Sequence, residues 1–259
     1  ANIFILIKRL PPVKFFDQKK ALTFAAPVPR LIWIYWHDGW DEAPDLIKYC
    51  ARSWEKKNHL WEVRKHDHHS ICKEFPELQQ VDIRRKAHFA DVVRLKLLGE
   101  YGGVWADATV LCGKCLDSWL PLVKNSSPLF VFSNPGPDRV IANWFIVASE
   151  GSRAIKKWED VTAAHFSSRW TYKTYYSAHY LFHWLTKSHL SVKEEFMAMA
   201  KISAVGPLAL EGAAQRNFAN CNEEDLIRSS PVHKLSRKSA VKVADYERLL
   251  QRMSNTCNT

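Results

Sequence analysis

Residues 85–109 read RKAHFADVVRLKLLGEYGGVWADAT, and this stretch decides the architecture. Lys86 to Glu100 is a mostly apolar run of good helix formers, and Gly102-Gly103 is a strong signal for its end. Val104 to Cys112 follows at once, rich in β-branched and aromatic residues, and is expected as a strand. Upstream, Leu31-Ile32-Trp33-Ile34-Tyr35-Trp36 is a short apolar run closed by His37-Asp38-Gly39, which predicts a buried strand and a loop. A helix is expected from Asp41 or Ala43 to Lys57, with Pro44 near its first turn and Leu46, Ile47, Cys50 and Trp54 at helical spacing. Trp61 to Lys65 is a second strand. Strand, helix, strand favours a parallel α/β sheet. Downstream, Leu129–Phe132 and Trp144–Ala148 are strand candidates, with Ser133–Asp138 between them reading as a loop. From Ser152 to about Ala200 the pattern is helical and rich in aromatics. No linker separates two cores, so the expectation is an N-terminal extension at 1–27, one α/β domain at 28–238 with a helical C-terminal portion, and a charged tail at 239–259.

Composition sets outer bounds. The 259 residues are 47% hydrophobic and 25% charged, which excludes disordered, collagenous and coiled-coil classes. Lys and Arg number 37 against 27 Asp and Glu, a net charge of +10, and there are 11 Trp. A basic chain points to an anionic partner: nucleic acid, an anionic membrane face or a phosphorylated small molecule. Six Cys are too few for a disulfide framework. Cys112 and Cys115 have CxxC spacing without a second such pair, which argues for reduced thiols over structural zinc. No apolar run is long enough to span a membrane. The opening Ile3-Phe4-Ile5-Leu6-Ile7-Lys8-Arg9 lacks a cleavage pattern; it fits either a membrane-surface anchor or an element packed on the body.

The candidate chemistry clusters on the deciding stretch. Asp107 interrupts an apolar strand, and an ionised carboxylate there needs a metal ion, a ligand hydroxyl or an Arg as partner; a structural turn is the alternative. Ligands of parallel α/β sheets bind beyond the carboxyl ends of the strands. Asp91 and Arg94 lie at i, i+3 on the preceding helix and share a face. They are either a solvated ion pair or part of the same cleft as Asp107. His66-Asp67-His68-His69 could ligate metal but fits a solvated loop better. Tyr172, Tyr175, Tyr176, His179 and Trp184 could hold an acceptor glycan or, at helical spacing, fill a core.

The combination Asp91-x-x-Arg94, Tyr101-Gly102-Gly103 and Asp107-Ala108-Thr109 resembles the sugar-nucleotide region of glycosyltransferases with a D-x-D motif. It is most similar to the bacterial capsular polysaccharide synthesis protein family, itself similar to glycosyltransferase family 32 and, more distantly, to the clostridial glucosylating toxins. The likeness extends to Pro29–His37, Trp54, Asn143-Trp144-Phe145, Gly206-Pro207 and Val232-His233-Lys234-Leu235. It implies a GT-A-like fold, Rossmann-like with a mostly parallel sheet, and transfer of a sugar with retention from a nucleotide diphosphate-sugar, favouring UDP. By the same resemblance Trp36 stacks on the nucleobase, although it could equally be core. Asp91 accepts from donor hydroxyls, Arg94 orients the sugar and Asp107, and Asn143 touches donor or acceptor. Asp107 and Arg94 are the catalytic candidates. The resemblance also implies Mn²⁺ or Mg²⁺, which prefer carboxylate and water oxygens. The second Asp of the motif is Thr109 here, so Asp107 would need a completing ligand, for which His233 is the candidate; a surface His is the other reading. Lys234 would neutralise phosphate charge.

The expected function is therefore a glycosyltransferase of surface polysaccharide assembly, cytoplasmic and peripheral on the inner face of the membrane, with a glycan or lipid-linked glycan as acceptor. A pseudo-enzyme that binds glycan or nucleotide is the alternative that Thr109 keeps open. A basic nucleic-acid-binding protein is another, but no recognition helix or binding motif supports nucleic acid as partner.

Overall fold

A computed structural model describes residues 27–81, 85–124, 127–168, 173–216, 222, 225, 228, 230–238 and 242–248. The N-terminal extension, Tyr172 and most of the expected tail lie outside these residues. The element order is β1 (Leu31–Tyr35), α1 (Asp45–Lys57), β2 (Glu62–His66), α2 (His68–Glu74), a short 3-10 turn (Pro76–Gln80), α3 (Lys86–Tyr101), β3 (Gly103–Ala106) and β4 (Val110–Cys112). Then come α4 (Leu116–Lys124), β5 (Leu129–Gly136), β6 (Arg139–Ala148), α5 (Arg153–Ser167), α6 (Ser177–Ser188), α7 (Leu190–Ala198), α8 (Val205–Ala214) and β7 (Val232–Lys234).

Five strands form the central sheet in the order β2-β1-β3-β6-β5. β1 runs parallel to β2 and β3, while β6 is antiparallel to both β3 and β5. Four strands thus share one direction and β6 opposes them, so the sheet is mostly parallel, flanked by helices, as the sequence leads one to expect. β3 and the second half of β6 are buried at every position, which requires cover on both faces. α3 is correspondingly a core helix, with Leu95, Leu97 and Leu98 buried on different sides of it. The two glycines then reverse the chain. Gly102 and Gly103 have φ of 64° and 96°, and a Cβ on Gly103 would lie 2.7 Å from the Leu31 carbonyl oxygen. Only glycine permits this immediate passage from helix to strand.

Two local expectations need correction. The strand expected over Val104–Cys112 is two strands. Asp107 donates its backbone N–H to the Trp144 carbonyl at 2.8 Å, and its own carbonyl accepts from Val110 N–H at 2.8 Å. The chain turns at Asp107-Ala108-Thr109, and β4 leaves the main sheet to pair antiparallel with β7. The loop expected at Ser133–Asp138 is instead the end of β5 and a tight turn into β6. Pro135 is tolerated because β5 is an edge strand.

The C-terminal helices are tied together by buried polar contacts. Glu195 on α7 accepts from Ser152 Oγ at 2.8 Å and from the N–H groups of Arg153 and Ala154 at 3.0 Å each. It thereby satisfies the free donors at the start of α5. Trp158 Nε1 on α5 donates to the Ala178 carbonyl at 2.9 Å, which anchors the start of α6. Within the segment expected as a tail, Tyr246 is fully buried in a small second apolar cluster with Cys50, Leu111, Leu210 and Leu235.

Candidate functional site

Where β1 and β3 end, a cleft of about 230 Å³ opens, as expected at the carboxyl ends of parallel strands. Its residues come from six places in the chain. Trp36 follows β1, Asp107 and Thr109 form the turn after β3, and Asp91 and Arg94 project from α3. Asn143 comes from β6, His179 from α6, and Lys234 from β7.

Arg94 is the hub. Its Nη2 lies 3.3 Å from Asp91 Oδ1 and 3.2 Å from Asp107 Oδ1. Its Nη1 donates to the Asn143 carbonyl at 2.6 Å and its Nε to the Ala90 carbonyl at 3.1 Å. The guanidinium also lies 5.2 Å from the centre of the Trp105 ring. One planar fork therefore fixes α3, β6 and the β3 turn against one another. Asn143 completes the set, donating from Nδ2 to Asp91 Oδ1 at 2.9 Å.

The two carboxylates have different company. Asp107 has Arg94 on one oxygen and Lys234 Nζ at 3.2 Å on the other, and Trp105 Nε1 donates to it at 2.9 Å. Burial works against its charge, but Arg94 and Lys234 outweigh it and hold the carboxyl below its ordinary range. Asp91 is more deeply buried and shares only Arg94. Burial pushes its pKa up to about 7, with Arg94 opposing and the Asp107 charge adding. The cluster is thus at its most favourable with Asp107 charged and Asp91 protonated.

A pH dependence follows. Asp91's folded pKa stands above its ordinary 3.8, so its contribution to stability is complete below about pH 4 and lost as pH rises through about 7. Denaturant midpoints of the wild type are expected to fall relative to those of Asp91→Asn over that window. A constant difference between the two proteins across it would mean that Asp91 stays ionised throughout.

Of the residues singled out in the sequence, the cleft gathers Trp36, Asp91, Arg94, Asp107, Asn143 and Lys234. His233 does not join them. Strand alternation turns successive residues to opposite sides, and His233, next to Lys234, is fully buried and absent from the cleft wall. His233 Nε2 lies instead beside Gly113, where a Cβ would be 3.3 Å from it. The His66–His69 run is structural: Asp67 caps α2 and His66 packs 5.8 Å from Trp33. The aromatic stretch divides. Tyr175 and His179 line the cleft, while Trp184 is exposed and away from it. Burial and the Arg94 and Arg139 charges bring the His179 pKa down to about 3, so the ring is neutral.

Arg237 and Lys86 line the same cleft and were not legible as site residues. Arg237 lies 5.1 Å over the Trp36 ring, and Lys86 pairs with Asp38. Two Lys or Arg residues in a basic chain carry no local signal; only the fold selects them.

No group of three or more His, Cys, Asp or Glu placed to hold a metal ion occurs among the described residues. Asp107 is the one carboxylate at the expected position, and both of its oxygens already face cations. That donor set does not fit Mn²⁺ or Mg²⁺, which call for several free oxygen ligands.

Among characterised proteins, the chain is 28% identical over 153 residues to Glycosyltransferase afumC of Aspergillus fumigatus, covering 51% of this chain and 39% of that one. It is 29% identical over 150 residues to O-glycosyltransferase PaGT of Phomopsis amygdali, covering 50% and 37%. It therefore spans about two-fifths of the length of these relatives. Among solved structures it superposes on PaToxG Glycosyltransferase with a TM-score of 0.46 and 15% identity, covering 66% of this chain and 74% of that one. The pattern of capsular polysaccharide synthesis proteins matches residues 11–253, a span that takes in every strand and helix described above and the whole cleft: the chain belongs to the capsular polysaccharide synthesis protein family.

Proposed function

We propose that this protein is a glycosyltransferase that moves a sugar, with retention, from a nucleoside diphosphate-sugar to a glycan or lipid-linked glycan of a capsular or other surface polysaccharide. A UDP-sugar is the favoured donor, and the inner face of the membrane is where it meets the acceptor. The observation that carries the proposal is the meeting of Asp91, Arg94, Asp107 and Lys234 in one cleft with Trp36 on its wall. The names of the relatives support the same class of reaction.

The roles follow from the chemistry. Trp36 offers a flat apolar platform to a nucleobase, worth roughly 1–3 kcal/mol per stacked base. Asp91 and Asn143 suit donor hydroxyls. Arg94 holds Asp107 in register and, with Lys234 and Arg237, gives the cleft cations suited to a diphosphate. In the transfer, the bond from the sugar C1 to the distal phosphate oxygen breaks and its electron pair leaves on the diphosphate. An acceptor hydroxyl oxygen bonds to C1 from the same face, and its proton passes to the departing diphosphate. Positive charge already aimed at the leaving oxygens stabilises this step without reorganisation. Retaining glycosidases place two free carboxylates about 5–5.5 Å apart, whereas Asp91 and Asp107 are both bound to Arg94. We therefore assign no protein nucleophile. Tyr175 and the neutral His179 form the wall left for the acceptor.

The test is nucleotide release. Incubated with UDP-glucose, UDP-galactose, UDP-N-acetylglucosamine or GDP-mannose and simple sugar acceptors, the chain is expected to liberate UDP above the protein-free background. Proton NMR of the product is expected to show the donor's anomeric configuration. Release from none of the four donors by folded protein would overturn the reading.

A further inference from the structure

The family resemblance implies a metal ion at Asp107, and the cation beside that carboxylate is instead Lys234. The D-x-D motif that the chain resembles has a second carboxylate where this chain has Thr109. Here the positions are Asp107 and Thr109, and what lies between them is the Lys234 ammonium. Lys234 Nζ is 3.2 Å from Asp107 Oδ2 and hydrogen-bonded to Thr109 Oγ1. The placement is built into the fold. β7 pairs with β4 so that Lys234 stands opposite Val110, and the next residue, Leu235, donates its N–H to the Thr109 carbonyl at 2.9 Å. The lysine side chain is only 22% exposed, and strand alternation turns it into the cleft while His233 turns away.

With Arg94 on one oxygen of Asp107 and Lys234 on the other, the site already holds two cations against that one carboxylate. A divalent ion entering this site would meet Arg94 and Lys234 with a single carboxylate to offset it, and like charges a few ångströms apart repel strongly. An ammonium has three donors and no acceptor. Two are engaged by Asp107 and Thr109, which leaves one for a phosphate oxygen.

We infer that Lys234 is the resident cation of this site: bracketed by Asp107 and Thr109, it holds the donor diphosphate in place of a divalent metal ion, and donor binding needs no metal. The inference rests on the cleft being a nucleotide-sugar site. It predicts that losing the lysine weakens the grip on the diphosphate and leaves the nucleoside portion untouched.

The experiment is calorimetric titration of the full chain with UDP, GDP, CDP and ADP, in EDTA and again with Mn²⁺ or Mg²⁺. At least one diphosphate is expected to bind in EDTA, with a Kd that the metals change by less than about twofold. Lys234→Met is expected to weaken that diphosphate by at least about tenfold, a loss in the range of a hydrogen bond to a charged group, and to leave binding of the matching nucleoside unchanged. The double variant Thr109→Asp, Lys234→Ala is expected to recover diphosphate binding in Mn²⁺ but not in EDTA. Wild-type binding that appears only with metal would overturn the inference and leave the proposed function standing. Equal weakening of nucleoside and diphosphate in Lys234→Met would overturn it too, as a purely structural role. No binding of any diphosphate under either condition would overturn both readings. The wild-type comparison needs no variant, so a poorly folding Lys234→Met cannot shield the inference.

Discussion

Arg94→Met is expected to lower the stability of the protein by about 3–5 kcal/mol, the usual cost of removing one partner from a buried ion pair. The methionine keeps the length and apolar bulk of the stem but leaves Asp91 without its cation and Asp107 with Lys234 alone. It also leaves the Asn143 carbonyl without the donor now 2.6 Å away. Because whole domains are stable by only about 5–15 kcal/mol, the shift in the denaturant midpoint at pH 7 is expected to be large. The penalty is expected to grow as pH rises above about 7, where Asp91 gives up its proton in the wild type and, in the variant, has no cation to pair with. Arg94→Lys restores the charge but not the fork, and is expected to fall between the two. A loss below about 1 kcal/mol for Arg94→Met, the range of exposed ion pairs, would mean that the cluster is solvated rather than buried.

Asp107→Asn is expected to leave the fold in place and reduce sugar transfer by about 10²-fold or more, the scale on which misplacing a reacting group acts. The amide has the carboxylate's shape and keeps an oxygen for either Trp105 or Lys234. It removes the charge that positions Arg94 and Lys234 on opposite oxygens of one group. The cations are then free to follow the diphosphate instead of holding it at a set distance. A cooperative melt at a lowered temperature, as loss of a buried ion-pair partner requires, with the protein still folded at the assay temperature and transfer lost, is the expected pair of observations. Transfer at the wild-type rate would remove Asp107 from the site.

Much of this arrangement can be read before any folding is considered. The α3 helix, its glycine stop and the strand after it follow from helix propensity, from positive φ at Gly102 and Gly103, and from the β-branched residues beyond. The pairing of Asp91 with Arg94 follows from their i, i+3 spacing. The break at Asp107 is different. Propensity favours continuing the strand through Val110, and the chain turns because Asp107 N–H and its carboxylate find partners on Trp144, Arg94 and Lys234. Composition likewise misread Ser133–Gly136, where pairing with β6 overrides the turn-forming residues. His233 and Lys234 could not be told apart in the sequence, since either could reach a phosphate or a metal. Which of them faces the cleft depends on the register of β7 against β4.

The sequence by itself determined the α/β class, the direction of the first strands and the carboxylates and guanidinium on the α3–β3 unit. These depend on neighbours within a few turns of one chain segment, and local periodicity and backbone preference record them. Only the tertiary structure decided that Lys234, 127 residues from Asp107, stands between that carboxylate and Thr109, that Arg237 lies over Trp36, and that His233 is buried elsewhere. Such meetings are set by strand register and by the packing of distant elements, and the free energy that selects them is spread across the whole core rather than written in the residues that meet.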